Sequence, residues 1–434
     1  MQSSTRGLWI FIPLLLLFTH GLSWVGWDPT WGGRITKFVL ILLILYIVMI
    51  RRFPWTPMVR YGMMLMFWCM LSIIGSWLVH DQALGYGFST TFPYMAWLML
   101  PLAYLFGLDE RTMLRLCLVL GVWWVAVMAI QQFTYPNLLF AVRTDSEEGE
   151  VEVRNGIRRM MPYGETFGLL LLFYSFQRYV DEGRRIALIG LALGIVGVYL
   201  CSTRQVMAAS AGCLLVGMYL KKKINVWAIL GMLIIIGLIY YYADALFSSY
   251  VEQTESDLEG GDYIRFIAWE FYGLKYNDGN IIPFLIGNGE PDLNNSAYGA
   301  EIHMWEKTFG LYVSDVGLVG MYSRFGIFFV ITILSFYWYI FRHRRHLDLY
   351  LQLYVLYMFV TNIMLWHFAG GTPTLFATGC VFFLIDHSLK RNQGEEEAIE
   401  EEEENGDEDV QEQIEESPPL LSHDLQHSDS GLQA

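Results

Sequence analysis

The sequence predicts an all-α integral membrane protein, with about twelve transmembrane helices and one large extracytoplasmic loop that contains short amphipathic helices. Of its 434 residues, 54% are hydrophobic and 16% are charged, whereas a soluble domain carries roughly 25% charged residues. Mean hydropathy is +0.37. Long apolar runs recur along the chain, and basic residues cluster beside every second run, as expected of a chain that crosses a bilayer repeatedly.

The chain divides into a membrane domain, residues 1–391, and an acidic tail, residues 392–434. The net charge is −15, but residues 395–434 hold sixteen acids and no Lys or Arg. Without those sixteen, 27 of the 43 acids remain against 28 bases, so the membrane domain is nearly neutral. The tail is of low complexity, and we predict a disordered cytoplasmic segment because it cannot bury enough apolar surface to offset chain entropy.

Twelve apolar segments approach the length of about 20 residues that a spanning helix needs. We place them at 7–25, 35–50, 61–79, 92–108, 113–133, 163–180, 186–201, 205–220, 224–246, 312–340, 347–368 and 372–389. No small-residue cleavage site follows the first segment, so we interpret it as a retained span rather than a signal peptide. The stretch 186–220 is either two tightly turned helices or a pair broken around Ser202, Thr203 and Arg204.

Basic residues predict the orientation, because Lys and Arg near span ends remain cytoplasmic. Every strong cluster follows an even-numbered span, which predicts that both termini are cytoplasmic. The clusters are Arg51, Arg52 and Arg60, then Arg178, Arg184 and Arg185, then Lys221–Lys223, then Arg342, Arg344 and Arg345, and finally Lys390 and Arg391. Two long loops, 134–162 and 247–311, then lie outside. Loops of such length are usually functional, so we predict chemistry that faces outward.

Arg204 departs from this basic-residue pattern. It stands in Cys-Ser-Thr-Arg-Gln, at the predicted outer junction of spans seven and eight. One interpretation is a side chain that snorkels to the lipid headgroups. The other is an anion-binding guanidinium in an external cavity, with the hydroxyl groups of Ser202 and Thr203 beside it.

A second external arginine, Arg265, lies in a predicted amphipathic helix of the large loop. Asp262 suits the N-cap of that helix and Gly273 suits its end. Helical spacing places Arg265, Trp269 and Tyr272 on one face. There the guanidinium would bind phosphate with paired hydrogen bonds, and the aromatic rings would stack on sugars. The alternative is a helix that lies on the membrane surface with ordinary interfacial aromatic residues.

His303 is the candidate general base of the large loop. Histidine is the side chain that titrates nearest neutrality, although a lone loop histidine is more often structural. His303 follows the glycine turn 286–289 and precedes the segment 315–320 that opens span ten. This position puts its ring at the membrane surface, where a lipid-linked substrate would lie.

The first outer loop offers further charges beside span six: Arg154, Arg158, Arg159 and Glu165. Loop arginines are usually only solvated, but these run into the span and are candidates to line a positive cavity. Arg158 and Arg159 are therefore expected to bind substrate.

Asp315 and Arg324 are charges inside span ten, where charge is costly and usually functional. They either pair with each other or line the cavity and bind substrate. His367, at the outer end of span eleven, suits an aromatic belt better than catalysis. The sequence contains no Walker A motif, dinucleotide fingerprint, HExxH or GxSxG, and no outer acids with metal-ligand spacing, so nothing indicates nucleotide, nucleic-acid or metal binding.

On these residues the chain resembles the O-antigen polymerase and O-antigen ligase family of bacterial envelope enzymes. The resemblance covers the whole topology, with loose motifs around Arg204, Arg265 and His303. Members carry an external Arg at a corresponding helix start, an Arg in the large loop and often a His in that loop, which implies catalytic roles for these three residues. Ligases typically place Asn after the His, where this chain has Met304, and this departure favours a polymerase.

The resemblance implies the joining of glycan repeat units on polyprenyl diphosphate, at the outer face of the bacterial cytoplasmic membrane. The product would be a surface polysaccharide, such as the O-antigen of lipopolysaccharide or a capsule. Arg204 and Arg265 would stabilise the diphosphate leaving group, and His303 would deprotonate or orient the acceptor hydroxyl. No cofactor or metal is expected. The implied partners are the lipid-linked donor and acceptor, the bilayer, and a chain-length regulator or other assembly proteins, without nucleic acid.

Three other functions fit parts of the sequence. A ligase of the same family would transfer the glycan to a lipid core. A lipid-linked glycan flippase or other transporter would show internal repeats with broken helices in matching positions, and the two halves of this chain show no such repeat. A structural membrane subunit would explain the tail but would leave Arg204 and the loop helix without a purpose.

Overall fold

The computed structural model describes residues 3–18, 29–49, 53–140, 153–154, 157–158, 164–201, 203–221 and 264–415. This part of the chain is helical apart from a two-residue antiparallel pairing of β1 (Val153–Arg154) with β2 (Ile157–Arg158). The α-helices, in chain order, are α1 (Ser3–Phe18), α2 (Pro29–Met49), α3 (Pro57–His80), α4 (Leu84–Thr91), α5 (Met99–Leu105), α6 (Glu110–Thr134), α7 (Glu165–Glu182), α8 (Arg185–Cys201), α9 (Arg204–Leu220), α10 (Ile264–Glu270), α11 (Ile281–Ile286), α12 (Ala297–Phe309), α13 (Gly317–Phe325), α14 (Ile327–Arg342), α15 (Leu349–Thr361) and α16 (Thr372–Glu415). Shorter 3-10 segments lie at Phe92–Leu98, Val313–Val316 and Arg344–His346, and a π-helical turn lies at Phe271–Lys275.

Local sequence explains where several helices begin. Thr56 caps α3, where its hydroxyl accepts a hydrogen bond from the backbone N–H of Val59 at 3.3 Å. Asn280 caps α11 in the same way, and the hydroxyl of Ser296 accepts from the N–H of Gly299 at the start of α12. These side chains replace the hydrogen bonds that the first turn of a helix leaves unmade.

The helix α7 packs against α6, α8 and α15 at the centre of the bundle. Glycines bring α6 and α7 close together: a Cβ atom at Gly121 would lie 2.4 Å from the carbonyl oxygen of Phe167, and one at Gly168 would lie 2.3 Å from a ring atom of Trp124. Small residues at such contacts allow the backbones of two membrane helices to approach. The helix α16 packs against α3, α5 and α6, and contributes a buried aromatic core.

Within the described residues, two helices, α3 and α6, are long and apolar enough to cross a membrane. Large apolar side chains also point outward: Val119 is 65% exposed, Ile186 is 72% exposed and Trp338 is 65% exposed. A surface of this kind is typical of proteins that contact lipid or another apolar partner. The twelve-span topology stays a prediction, and the span predicted at 224–246 lies outside the described residues.

The span predicted at 312–340 is divided in the structure. Gly326 separates α13 from α14, with a φ of +81° that favours glycine. A Cβ atom there would lie 2.2 Å from the carbonyl oxygen of Leu285. The large loop therefore packs against the break, and the uninterrupted helix that hydropathy predicted is wrong because hydropathy does not register backbone contact.

Two other predicted spans differ in their ends. The segment 92–108 starts with the 3-10 segment Phe92–Leu98, and the unpredicted helix α4 precedes it. The segment 347–368 leaves helical geometry at Thr361, so α15 is shorter than expected. The chain from 362 to 371 forms turns, with two glycines at 370 and 371, and this irregular stretch contributes to the cavity described below.

The prediction of a break within 186–220 is confirmed, since α8 ends at Cys201, α9 begins at Arg204, and Thr203 between them is extended. At the other end of the chain, α16 continues to Glu415 where composition predicted disorder from 392. Glu, Ala and Gln are good helix formers, and a helix already begun in the apolar segment needs no new nucleus. Residues 416–434 lie outside the described residues.

The described part of the large loop forms α10, α11 and α12, in agreement with the short helices predicted there. The predicted end at Gly273 is wrong, because this residue lies inside the π-helical turn that continues α10 to Lys275. The backbone N–H of Tyr276 donates to the carbonyl of Phe271 at 2.8 Å and closes the turn. Asp262, the predicted N-cap, lies outside the described residues.

Candidate active site

A cavity of about 630 Å³ lies where several helices end together. Its wall includes the first turn of α7, the last residue of α8, the turns between α15 and α16, and the first turn of α16. Its polar wall residues include Tyr94, Glu165, Glu290, Tyr357, His367 and Thr374. Since pockets with a few convergent polar groups are typical ligand sites, this cavity is the candidate active site.

The charged side chains that line the cavity, among the described residues, are the carboxylates of Glu165 and Glu290. The sequence predicted a positive cavity lined by arginines of the first loop, but Arg158 is not among the lining residues, because its guanidinium is bound to the end of α6.

Glu165 is the first residue of α7 and follows Gly164, whose φ is +126°. The phenol of Tyr357 on α15 donates a hydrogen bond to Glu165 Oε1 at 2.6 Å. Tyr357 is fully buried. A rigid neutral donor therefore holds one carboxylate oxygen, so the Glu165 side chain is fixed in the wall of the cavity.

Glu290 is held differently, by an arginine and a tyrosine. Its carboxylate accepts a short hydrogen bond from Tyr94, and its Oε2 lies 3.9 Å from Nη1 of Arg324. Its backbone carbonyl accepts from the amide of Gln82 at 2.8 Å, and from the hydroxyl of Thr90 at 3.1 Å. These contacts attach the large loop to the α3–α4 connection and hold Glu290 at the cavity. We call this set of contacts around Glu290 the clamp.

Arg324 belongs to this clamp rather than to the cavity wall. Its side chain is 4% exposed, and Nη1 donates to the Tyr298 hydroxyl at 3.1 Å. Burial raises the pKa of Tyr298 to about 12, against the lowering effect of Arg324, so the phenol stays neutral near pH 7. The predicted alternative of a pair between Arg324 and Asp315 is wrong, because each residue contacts another partner.

The ring of His80, at the end of α3, completes this network. It stacks on the ring of Tyr298, with centroids 4.0 Å apart and planes 9° apart. Its Nε2 lies 2.9 Å from the side-chain oxygen of Asn288, whose amide donates to Asn277 and to the carbonyl of Ser323. These bonds tie the segment that carries Glu290 to α3, α12 and α13, although the buried Nε of Arg324 has no hydrogen-bond partner among the described residues.

Arg204 and Arg265 both lie beside the turn that follows α15. The amide of Gln205, next to Arg204, donates to the carbonyl of Thr361 at 3.1 Å. Nη1 of Arg265 lies 3.8 Å from Met364 Sδ, and its Nε lies 4.0 Å from Asp315 Oδ2. The neighbouring residues Cys201, Ser314 and Leu365 line the cavity. The segments that carry these two arginines are far apart in the sequence and meet beside residues that line the cavity, and we call this side of the cavity its rim.

His367 is part of the cavity wall and not of an aromatic belt. It is 7% exposed, and its Nε2 lies 2.6 Å from Thr361 Oγ1. The Thr361 hydroxyl also lies 2.7 Å from the carbonyl of Tyr357. Since a hydroxyl has one proton to donate, donation to that carbonyl leaves Nε2–H of His367 to donate to the threonine.

The other loop candidates lie apart from the cavity wall. His303 is an exposed residue in the middle of α12, where the sequence predicted a loop. Trp269 on α10 is 46% exposed, whereas Tyr272 is 1% exposed and donates to the carbonyl of Leu311 at 2.8 Å. The prediction that Tyr272 presents its ring to a sugar is therefore wrong, because the face of the helix that carries Tyr272 packs against the segment around Leu311.

Arg158 supports the end of α6. Its guanidinium donates to the carbonyl of Gln132 at 2.9 Å and lies over the ring of Tyr135, 4.4 Å from the centroid. Backbone hydrogen bonds with the Gln132 amide complete the contact. These bonds give Arg158 a structural role in the described contacts. Arg159 lies outside the described residues.

Sequence reasoning missed Glu290 and treated Glu165 as one charge among several in the first loop. A usable signal for Glu290 was the acid directly after Gly287-Asn-Gly289, a turn in which both glycines have positive φ. Among the described residues, no three His, Cys, Asp or Glu side chains come together as metal ligands do.

Comparison with models of known protein families gave no match. Comparison with curated proteins gave none either.

Proposed function

We propose that this protein polymerises oligosaccharide repeat units carried on polyprenyl diphosphate, at the outer face of the bacterial cytoplasmic membrane. Two lipid-linked substrates meet, and one glycan is transferred to a hydroxyl group of the other with inversion of the anomeric centre. The product is a surface polysaccharide such as O-antigen or capsule. The protein would be a metal-independent glycosyltransferase that spans the membrane about twelve times.

One observation carries this proposal. The segments that carry Arg204 and Arg265 meet at one rim of a cavity that is lined by the carboxylates of Glu165 and Glu290. Guanidinium groups bind diphosphate oxygens with paired hydrogen bonds, whereas carboxylates and aromatic residues suit sugar hydroxyl groups and rings. The division of charge therefore matches a substrate with a diphosphate at the rim and a glycan inside.

The position of the cavity agrees with the orientation that the basic residues predict. Its wall is built from the start of α7, the end of α8, the end of α15 and the start of α16. Each of these is the outer end of its predicted span. The exposed apolar surface of the bundle and the two long apolar helices support membrane insertion. Lipid tails would stay in the bilayer while the sugars react at its surface.

The chemistry follows from charge. The acceptor oxygen forms a bond to the anomeric carbon as the bond from that carbon to the diphosphate oxygen breaks. The diphosphate leaves with the bonding electron pair, and negative charge grows on it. Arg204 and Arg265 stabilise this charge, since fixed donors at a developing anion are worth about 10²–10³ in rate each.

The first test is deletion of the gene in its host, with the surface polysaccharide run on a gel. Loss of the long ladder, with single repeat units left on the lipid or its core, supports a polymerase. Polymer stranded on its lipid carrier would instead indicate a ligase, and repeat units trapped on the cytoplasmic face would indicate a flippase.

The deletion strain is then complemented with Arg265→Ala, which should look like the deletion while inserting normally in the membrane. Arg178→Ala is the matched control, because Arg178 pairs with Glu182 at the opposite end of α7. A full ladder from Arg265→Ala contradicts the assignment of this arginine to the diphosphate.

A further inference from the structure

We infer that Glu165 is the general base that takes the proton from the acceptor hydroxyl. This inference rests on the proposed function and adds to it the residue that activates the acceptor. The sequence pointed to His303 for this task. The structure instead puts Glu165 in the wall of the cavity and His303 on the exposed side of α12.

Glu165 and Glu290 both line the cavity, and their partners distinguish them. The carboxylate of Glu290 lies 3.9 Å from the guanidinium of Arg324 and also accepts a hydrogen bond from Tyr94, so it has two described partners. The described partner of Glu165 is the phenol of Tyr357 at 2.6 Å, which binds one of its two carboxylate oxygens. Of the two acids, we therefore assign Glu165 to accept the proton and Glu290 to bind a sugar hydroxyl.

Tyr357 is a positioning residue for this base. Its hydroxyl donates to Oε1 of Glu165, and among the described contacts Oε2 is the oxygen that remains for the acceptor. The tyrosine is fully buried on α15, and α15 packs directly against α7. The carboxylate is consequently held on rigid elements, and general bases need such placement within hydrogen-bond reach of the proton that they remove.

The proposed step balances as follows. The acceptor oxygen bonds to the anomeric carbon while its proton passes to Glu165 Oε2. The bond between the anomeric carbon and the diphosphate oxygen breaks, and the diphosphate departs with the electron pair beside Arg204 and Arg265. Glu165 then releases the proton to water, and the carboxylate is ready for the next acceptor.

The test uses membranes from the deletion host, which supply the natural lipid-linked repeat units, with the full-length protein restored on a plasmid. The initial rate of polymer formation is measured at equal protein level. Glu165→Gln keeps the size of the side chain but cannot accept the proton, so we expect a loss of about 100-fold or more. Glu165→Asp should retain an intermediate rate. Glu182→Gln, at the other end of the same helix, is the matched control.

Chemical rescue separates a base from a structural residue. Sodium formate should restore part of the rate to Glu165→Ala membranes, because the cavity then has room for the small carboxylate. Sodium chloride at the same concentration should not, and formate should not restore Arg265→Ala. A Glu165→Ala variant that formate leaves inactive overturns the inference, since the glutamate is then needed only for structure.

Other outcomes show whether the assignment of the base or the proposed function is wrong. If Glu165→Gln polymerises at the wild-type rate, Glu165 is not the base. If His303→Gln is then inactive, the histidine has that task and the proposed function stands. If wild-type membranes make no polymer from their repeat units, the proposed function itself fails, whatever the variants do.

Discussion

The two ends of the helix bundle use their charges in opposite ways. At one end, α6 and α15 begin and α7 and α9 finish, and carboxylates there pair directly with basic side chains. Arg391 donates to Glu110 at 2.5 Å and to Asp348 at 2.6 Å, and Lys221 lies 2.9 Å from Asp181.

At the other end, α7, α9 and α16 begin and α15 finishes, and the acids face a cavity. Glu165 is held by the phenol of Tyr357, Glu290 lies against Tyr94 and Arg324, and Arg265 lies 4.0 Å from Asp315. Exposed ion pairs satisfy one another and contribute little free energy. At this end, by contrast, Glu165 and Glu290 line a cavity, so we interpret it as the functional end and the other as the structural end.

The largest expected effect tests the buried arginine that supports the functional end. Arg324→Met removes the guanidinium that lies against Glu290 and Tyr298, and removal of one member of a buried pair costs about 3–5 kcal/mol in the free energy of unfolding. Thermal unfolding in detergent, followed by size-exclusion chromatography, should show a clear fall in the midpoint. The double variant Arg324→Met, Glu290→Gln should recover part of the lost midpoint temperature. An unchanged midpoint in the single variant would contradict a stabilising role for the clamp.

A slightly smaller effect is expected for the rim arginine. Arg204→Lys keeps the positive charge but loses the planar paired donors, so polymer formation should fall by about 10²–10³, which is the loss typical of one donor to a developing anion. The rate in host membranes at equal protein level is the measurement. Arg178→Lys at the structural end is the control. Equal rates for the two lysine variants would show that charge alone suffices at the rim.

The smallest effect is expected at the structural end. Arg391→Gln breaks the pairs with Glu110 and Asp348, but Arg391 is 39% exposed, so solvent screens them. We expect the free energy of unfolding to change by about 0–1 kcal/mol, with polymer formation per molecule unaffected. A loss of polymer from this variant would contradict the division into a structural and a functional end.

Several features were within reach of sequence reasoning because they depend on neighbours in the chain. The break between α8 and α9 was predicted from the polar residues 202–204 between apolar runs, and it is confirmed. The helix that begins at Ile264 in the large loop was predicted from its periodicity, whereas its end at Gly273 was predicted wrongly. The break at Gly326 was not predictable in this way, because it reflects contact with the carbonyl of Leu285, which lies 41 residues earlier in the chain.

The candidate site likewise contains residues that the sequence identified and residues that it missed. Arg204 was identified because it departs from the pattern of cytoplasmic basic clusters, and Arg265 because it shares one face of a predicted amphipathic helix with aromatic residues. Glu290 was missed, because its importance depends on Tyr94 and Arg324, and Tyr94 is 196 positions away along the chain. Tyr272 was assigned wrongly for the same reason: periodicity gives the face of a helix but not the surface against which that face packs.

By itself, the sequence determined the helical class, the apolar surface, the alternation of basic clusters and the break before Arg204. These follow from the local free energies of burying apolar side chains, capping helices and keeping charges in water. Only the tertiary structure decided which acids meet at a cavity, which arginine is buried in a clamp and which arginines reach the rim. Such convergence depends on contacts between distant segments, and no local pattern of residues records those contacts.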